Sequence, residues 1–220
     1  MEGGARGSGG RWRGLALLAA LLIAGGWVVT RGDAQPTEDT KSAPSVTAPA
    51  PSTSSTTNPD PARYAALVVK YADAAGIEPR LLMAILYNES YKPHDPALQR
   101  AWQKMKPDAA FGIANMHKAT YDEARRGRPF AGRDWQELPD DPELAIQAAA
   151  WHLHDLASGL SANPVGQLTT DELLALGYNT GAGNMRAFAR GTEPGPQAQS
   201  YLDRLRSNWT VAGETIRRVG

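Results

Sequence analysis

The chain has 220 residues, with 23 lysines and arginines balanced by 23 aspartates and glutamates, and no cysteine. That length suits one domain of ordinary size with room for tails. Zero net charge argues against a dedicated nucleic-acid binder, and the missing cysteines exclude a disulfide framework, thiolate catalysis and cysteine-ligated metal sites.

Composition divides the chain into three stretches. In residues 1–33, Arg6, Arg11 and Arg13 precede an uncharged apolar run from Gly14 to Val29. Its length falls between the core of a signal peptide and the roughly 20 residues of a full membrane span. Arginines before it and polar chain after it place the amino terminus in the cytoplasm and the remainder outside. The expectation is export. The segment is either an uncleaved anchor, meeting the membrane through residues 14–30, or a signal peptide removed after Ala34, with Gly32 at the upstream small position. Residues 34–59 are almost entirely Pro, Ser, Thr and Ala, with Val46 the one large aliphatic side chain. Such a segment buries too little apolar surface to offset its ordering entropy, so it is expected to be a disordered spacer.

Residues 60–220 make up the expected folded unit, close to charge balance by itself. Its hydrophobic periodicity is helical throughout, with no internal repeat and no strand alternation, which predicts an all-α class. Asp60–Pro61 reads as an N-cap and first-turn proline, and Tyr64, Leu67, Val68, Tyr71 and Ala75 then mark one face as far as Gly76. Pro79 opens a second helix, PRLLMAILYNES, with Leu82, Ile85 and Leu86 inward. A third is expected from about Asn115 to Arg126, a fourth from Pro142 to Ser158, and a fifth from Asp171 to near Gly177. In the last helix Tyr201, Leu205, Trp209, Ala212 and Ile216 recur at helical spacing.

Glu89 stands out within the second helix. It lies seven residues after Leu82 and four after Ile85, so it shares their inward face. A carboxyl on an apolar stripe must be paired, protonated or used. Desolvation favours the protonated form, and a protonated glutamic acid near neutral pH can protonate a leaving oxygen, as glycosidic cleavage requires. The helix alone leaves a second reading open, in which Glu89 ends the helix and points to water.

Four blocks between about Ala65 and Phe188 carry a family resemblance: AGIEPRLLMAILYNES, FGIANMHKATYDEA, DPELAIQAAAWHLHDL and ALGYNTGAGNM. Together they resemble the lytic transglycosylases of the soluble-lytic-transglycosylase type, relatives of goose-type lysozyme. Each block is weak by itself; their order and spacing are specific. The resemblance implies a lysozyme-like helical domain with a cleft. It also implies cleavage of the β-1,4 bond between N-acetylmuramic acid and N-acetylglucosamine in peptidoglycan glycan strands. Glu89 would then be the single catalytic acid and later base, with Ser90 supporting it from the adjacent position. Gly112, Ile113, Asn115 and Thr120 fall in register with the family's Gly-Leu-Met-Gln-x-x-Pro-x-Thr block. Tyr178, Asn179 and Gly181 match its Tyr-Asn-x-Gly block, Tyr178 near the catalytic carboxyl and the other two shaping the turn beneath it. Asn115 stands where the family has glutamine, Ala114 where it has methionine, and Lys118 where it has proline.

Ordinary glycosidases use two carboxylates, and no motif marks a second one. Asp95, Asp108, Asp140 and Asp141 are candidates only through their expected loop positions. In the family's reaction the muramic acid's own 6-hydroxyl is the nucleophile, so one glutamate suffices. Residues two apart on a helix diverge by about 200°, so His152 and His154 do not share an ion; no metal site or cofactor is expected. His117 belongs at a cleft rim or the surface, the arginines at 125, 126, 128 and 133 in a solvated loop, and Gly181–Gly183 is no phosphate loop. Trp151 and Trp209 belong to the core, whereas Trp102 and Trp135 are candidate sugar-stacking residues. Three functions remain open: a lytic transglycosylase, a hydrolytic lysozyme on the same fold, and a non-catalytic wall-binding protein.

Overall fold

The computed structural model describes residues 59–220. The expected membrane segment (residues 14–30) and nearly all of the expected spacer (34–59) lie outside the described residues. None of the described helices is long and apolar enough to cross a membrane.

Among the described residues, eight α-helices follow a first 3-10 turn at Pro61–Tyr64: α1 (Ala65–Ala75), α2 (Pro79–Glu89), α3 (Pro96–Met105), α4 (Lys118–Ala124), α5 (Pro142–Ser158), α6 (Thr170–Thr180), α7 (Ala182–Ala189) and α8 (Pro196–Arg217). A second 3-10 turn lies at Trp135–Glu137. The only β pairings among the described residues are isolated bridges, so the described chain is all-helical. Local chemistry sets most starts. Asp95 and Asp141 each accept the backbone N–H three residues on and are followed by proline, and Thr169 with Glu172 makes a capping box.

The second helix is the axis of the packing. Leu81 through Leu86 are all at most 1 % exposed, so α2 is buried on every side rather than along one stripe. It packs chiefly against α8, while α1 lies on α5, and α6 contacts both α7 and α8. Each fully buried leucine or isoleucine contributes on the order of 1.5–3 kcal/mol relative to exposure, so this helix is among the most costly to displace. Polar ties fix its register: Arg80 Nε donates to the Trp209 carbonyl (2.8 Å), Asn88 Nδ2 to the Tyr201 carbonyl (3.1 Å), and Asn208 Nδ2 to Asn88 Oδ1 (2.7 Å).

Several expectations are corrected. The helix expected from Asn115 begins at Lys118, because residues 111–116 form a tight reversal: Phe111 and Met116 exchange both backbone hydrogen bonds (3.0 and 2.9 Å). Asn115 sits there at φ +47°, a left-handed conformation that a helix cannot contain. The fifth helix does not end near Gly177 but runs to Thr180. Gly177 lies inside it, where an added Cβ would stand 2.8 Å from Met185 Sδ. Helices α3 and α7 were not expected at all.

Candidate active site

The last turn of α2 carries Glu89 into the protein, where it is 4 % exposed. Its Oε2 accepts from Asn115 Nδ2 at 3.0 Å and lies 3.4 Å from Lys92 Nζ. The same Asn115 amide reaches the Glu89 backbone carbonyl at 3.2 Å. One side chain therefore grips both the end of the helix and its carboxylate. Two phenols stand close by. Tyr178 and Tyr201 are both held well above the usual tyrosine range, first by burial and then by the negative charge of Glu89.

The reversal at 111–116 presents Asn115, and glycine is required at its start. Gly112 has φ +72°, and a Cβ there would meet the Leu138 carbonyl oxygen at 2.8 Å, with Leu138 Cβ and Ala145 Cβ at 3.1 and 3.2 Å. The loop is held from three directions. Gln99 Oε1 accepts from the Gly112 N–H (2.8 Å), Tyr178 donates to the Ala114 carbonyl (2.7 Å), and Trp135 Nε1 donates to the Met116 carbonyl (2.8 Å). Ile113 is half-buried and packs against the core.

Other residues singled out in the sequence fall elsewhere. Ser90 caps α2 and its hydroxyl donates to the Tyr87 carbonyl (2.7 Å), so it shapes the chain reversal after the glutamate. Asn179 and Gly181 are exposed, and Gly181 joins α6 to α7 at φ +88°. Thr120 is half-buried within α4. Trp135 is not a surface platform: it is 2 % exposed and stacks on Phe111 with ring centroids 4.2 Å apart. Trp102, by contrast, is 48 % exposed on α3. Three of the four arginines are tied up locally, Arg128 with Asp155, Arg133 with Glu137 and Asp141, and Arg125 with Asp122, and Arg126 is exposed. His152 packs against the Tyr178 ring, centroid to centroid 5.4 Å, and no group of metal-ligating side chains occurs among the described residues.

Two cavities flank this arrangement. One, of about 540 Å³, is lined by Lys92 and Asn115, which touch Glu89, and by Leu98, Gln99, Trp102 and His117. The other, of about 650 Å³, is lined by Tyr91, Asn179, Gln197, Tyr201 and Arg204 among others. No aspartate or glutamate lines either cavity. Three of the loop carboxylates have other work: Asp95 and Asp141 cap helices, and Asp140 pairs with Arg100, whereas Asp108 is exposed beside Ala109 of the first cavity's wall. Sequence reasoning missed Lys92, Gln99, Tyr91 and Arg204 as lining residues, and read Tyr201 only as core. Lys92 alone left a trace, three residues beyond Glu89.

Such a site sets a buried, amide-held carboxyl behind Asn115 and Lys92, two residues on the wall of a cavity, which suits acid–base work. No curated protein and no solved structure matches the chain. The family model for the transglycosylase SLT domain matches residues 66–199, a span that contains α2, the Asn115 loop and the Tyr178 helix. The chain therefore belongs to the transglycosylase SLT domain family, whose function is of the lytic-transglycosylase, peptidoglycan-cleaving type.

Proposed function

We propose that this protein is a peptidoglycan lytic transglycosylase that cleaves the β-1,4 bond between N-acetylmuramic acid and N-acetylglucosamine and leaves 1,6-anhydro-muramoyl ends. The observation that carries the reading is a single buried carboxyl, Glu89, held by Asn115 and Lys92, which both lie on a cavity wall that carries no aspartate or glutamate. A retaining glycosidase needs a partner carboxylate at about 5–5.5 Å, and an inverting one needs a carboxylate beyond a positioned water. An intramolecular nucleophile needs neither.

The protonated Glu89 donates its proton to the glycosidic oxygen as the C1–O bond breaks, and the glucosamine departs as an alcohol. Positive charge develops at C1 and the ring oxygen. The Glu89 carboxylate, steadied by the Asn115 amide and the Lys92 ammonium, then accepts the proton of the 6-hydroxyl as O6 bonds to C1. Glu89 ends as it began and no water is consumed. Delivering the nucleophile from the same sugar is worth about 7–11 kcal/mol when its orientation is good. Tyr178 and Tyr201 keep their protons throughout, so they are neutral neighbours of the carboxyl. Trp102, half-exposed on the wall of the first cavity, offers a face for a sugar ring.

Residues 1–59 extend the proposal to location. The domain works outside the cytoplasmic membrane, tethered by residues 14–30 or released after cleavage. In this reading the Pro, Ser, Thr and Ala stretch over 34–59 serves as the spacer that holds the domain off a bilayer. The test is digestion of purified peptidoglycan by the full-length chain, with the products weighed. Fragments lighter by one water than hydrolysed reducing ends support the proposal. Reducing ends mean a lysozyme, and no soluble product means a wall-binding protein.

A further inference from the structure

The cavity on the α8 side carries a feature that bond cleavage alone does not use. Arg204 lies on its wall, with its guanidinium 5.3 Å from the centroid of the Tyr91 ring and 5.7 Å from that of Tyr201. Its Nη1 donates to Ser200 Oγ at 3.1 Å. No carboxylate lies within ion-pair distance of it among the described residues, and it is the one arginine on the walls of the two cavities. Arg206 pairs with Glu172, and Arg100 with Asp140. The neighbouring acid, Asp203, is engaged by Gln199 at 2.8 Å and by Arg206 at 4.0 Å.

A second cation approaches the same ring. Lys92 Nζ is 5.5 Å from the Tyr91 centroid, and that residue, 64 % exposed, lies on the cavity wall. Two positive groups therefore meet one exposed tyrosine in a domain with no overall charge field. The rest of the cavity wall includes neutral hydrogen-bonding side chains such as Asn179, Asn184 and Gln197. A guanidinium steadied by two rings and a serine loses little conformational freedom when it grips an anion, and its planar fork matches a carboxylate.

We propose that this cavity, through Arg204 and the adjoining Tyr91, recognises a carboxylate carried by the muramoyl residue of the substrate, so that the enzyme selects strands by their acidic substituent. The proposal rests on the functional reading above. The sugar rings of a glycan strand are neutral, so the anion has two sources. One is the lactyl carboxyl of N-acetylmuramic acid where no peptide is attached; the other is a free carboxylate of the stem peptide joined to it.

The test measures binding by the full-length Glu89→Gln protein, which removes turnover, to three soluble glycan preparations. The first bears stem peptides, the second has them removed to leave the lactyl carboxylate, and the third has that carboxylate converted to its methylamide. A preference of about five- to tenfold for a carboxylate-bearing strand over the methylamide is expected, shrinking as salt rises. Preference for the first preparation alone assigns the stem peptide, preference for the second alone assigns the lactyl group, and preference for both over the methylamide means that either carboxylate fills the site. Adding Arg204→Gln should abolish the preference, and Arg204→Lys should restore part of it. Equal binding to all three preparations overturns the proposal, as does an Arg204→Gln loss that is the same on the methylamide. Those outcomes leave the cleavage reading intact. A wild-type protein that makes no anhydro ends, yet still discriminates, overturns the cleavage reading and supports the carboxylate site. Binding to none of the strands overturns both.

Discussion

Replacing Asn115 separately by glycine and by alanine divides its two duties. Its amide donates to Glu89 Oε2 at 3.0 Å and to the Glu89 carbonyl at 3.2 Å, while its backbone sits at φ +47°. A hydrogen bond to a charged group is worth about 1.5–3 kcal/mol net. If that bond positions the carboxyl during the reaction, its loss lowers kcat/KM by about 10- to 150-fold, at about 1.4 kcal/mol per tenfold. Both variants should show this, mainly in kcat. Only alanine adds the left-handed backbone cost of about 1–2 kcal/mol, so Asn115→Ala should also be less stable than Asn115→Gly by about 1 kcal/mol. The assays are release of soluble muropeptide under initial-rate conditions and urea unfolding of the same preparations. An Asn115→Gly protein within threefold of wild-type activity would refute the positioning role. Equal stabilities of the two variants would refute the backbone argument.

Gly112→Ala should destabilise the fold by about 2–4 kcal/mol in urea unfolding, because its Cβ would stand 2.8 Å from the Leu138 carbonyl oxygen and its φ is +72°; a loss under 0.5 kcal/mol would contradict this. The tryptophans should behave oppositely. Trp135→Ala, at 2 % exposure, should cost about 3–5 kcal/mol of stability, whereas Trp102→Ala, at 48 %, should leave the unfolding midpoint nearly unchanged and weaken glycan binding. His152 is pushed down to about 4 from 6.5, chiefly by burial, with Arg128 adding to the effect and Asp155 opposing it. Above pH 6.5 it is neutral in both states. Between 6.5 and about 4 the unfolded chain takes up a proton that the folded one refuses, so stability falls as pH falls, by about 2–3 kcal/mol between pH 7 and 4.5. His152→Gln should remove most of that part of the acid sensitivity; an unchanged slope of stability against pH would contradict the assignment.

What was legible in the sequence was what local chemistry encodes. The proline starts at Pro79 and Pro142, together with core-facing periodicity, mark α2, α5, α6 and α8 well enough to place Glu89 on a helix, while Tyr178 falls just past the end expected for α6. Asp95–Pro96 carries the same start signal, yet α3 escaped because Leu98, Trp102 and Met105 face outward and leave no inward stripe to read. Helix α7 is short and follows Gly181 directly, which reads as a turn. Asn115 looked like the first residue of a helix because left-handed backbone at a non-glycine residue leaves little mark in residue type. The inward position of Glu89 was foreseen from its spacing to Leu82 and Ile85, but the reason differs: α2 is enclosed all round. The company of Glu89 depends on distant partners. Tyr201, Gln99 and Arg204 arrive through tertiary packing that no window of sequence contains, and Trp135 and Trp102 are told apart only by burial.

The central claim is that one carboxyl, Glu89, does both the protonation and the deprotonation. The most direct test is the Glu89→Gln form of the full-length chain, confirmed as folded by its unfolding transition, digesting purified peptidoglycan beside wild type. Glutamine keeps the shape and still meets Asn115 but neither gives nor takes the proton. Wild type should release anhydro-ended muropeptides, and Glu89→Gln should release them at least about a thousandfold more slowly, a loss at the scale of general acid–base catalysis. A Glu89→Gln protein that releases anhydro ends at the wild-type rate would contradict the account.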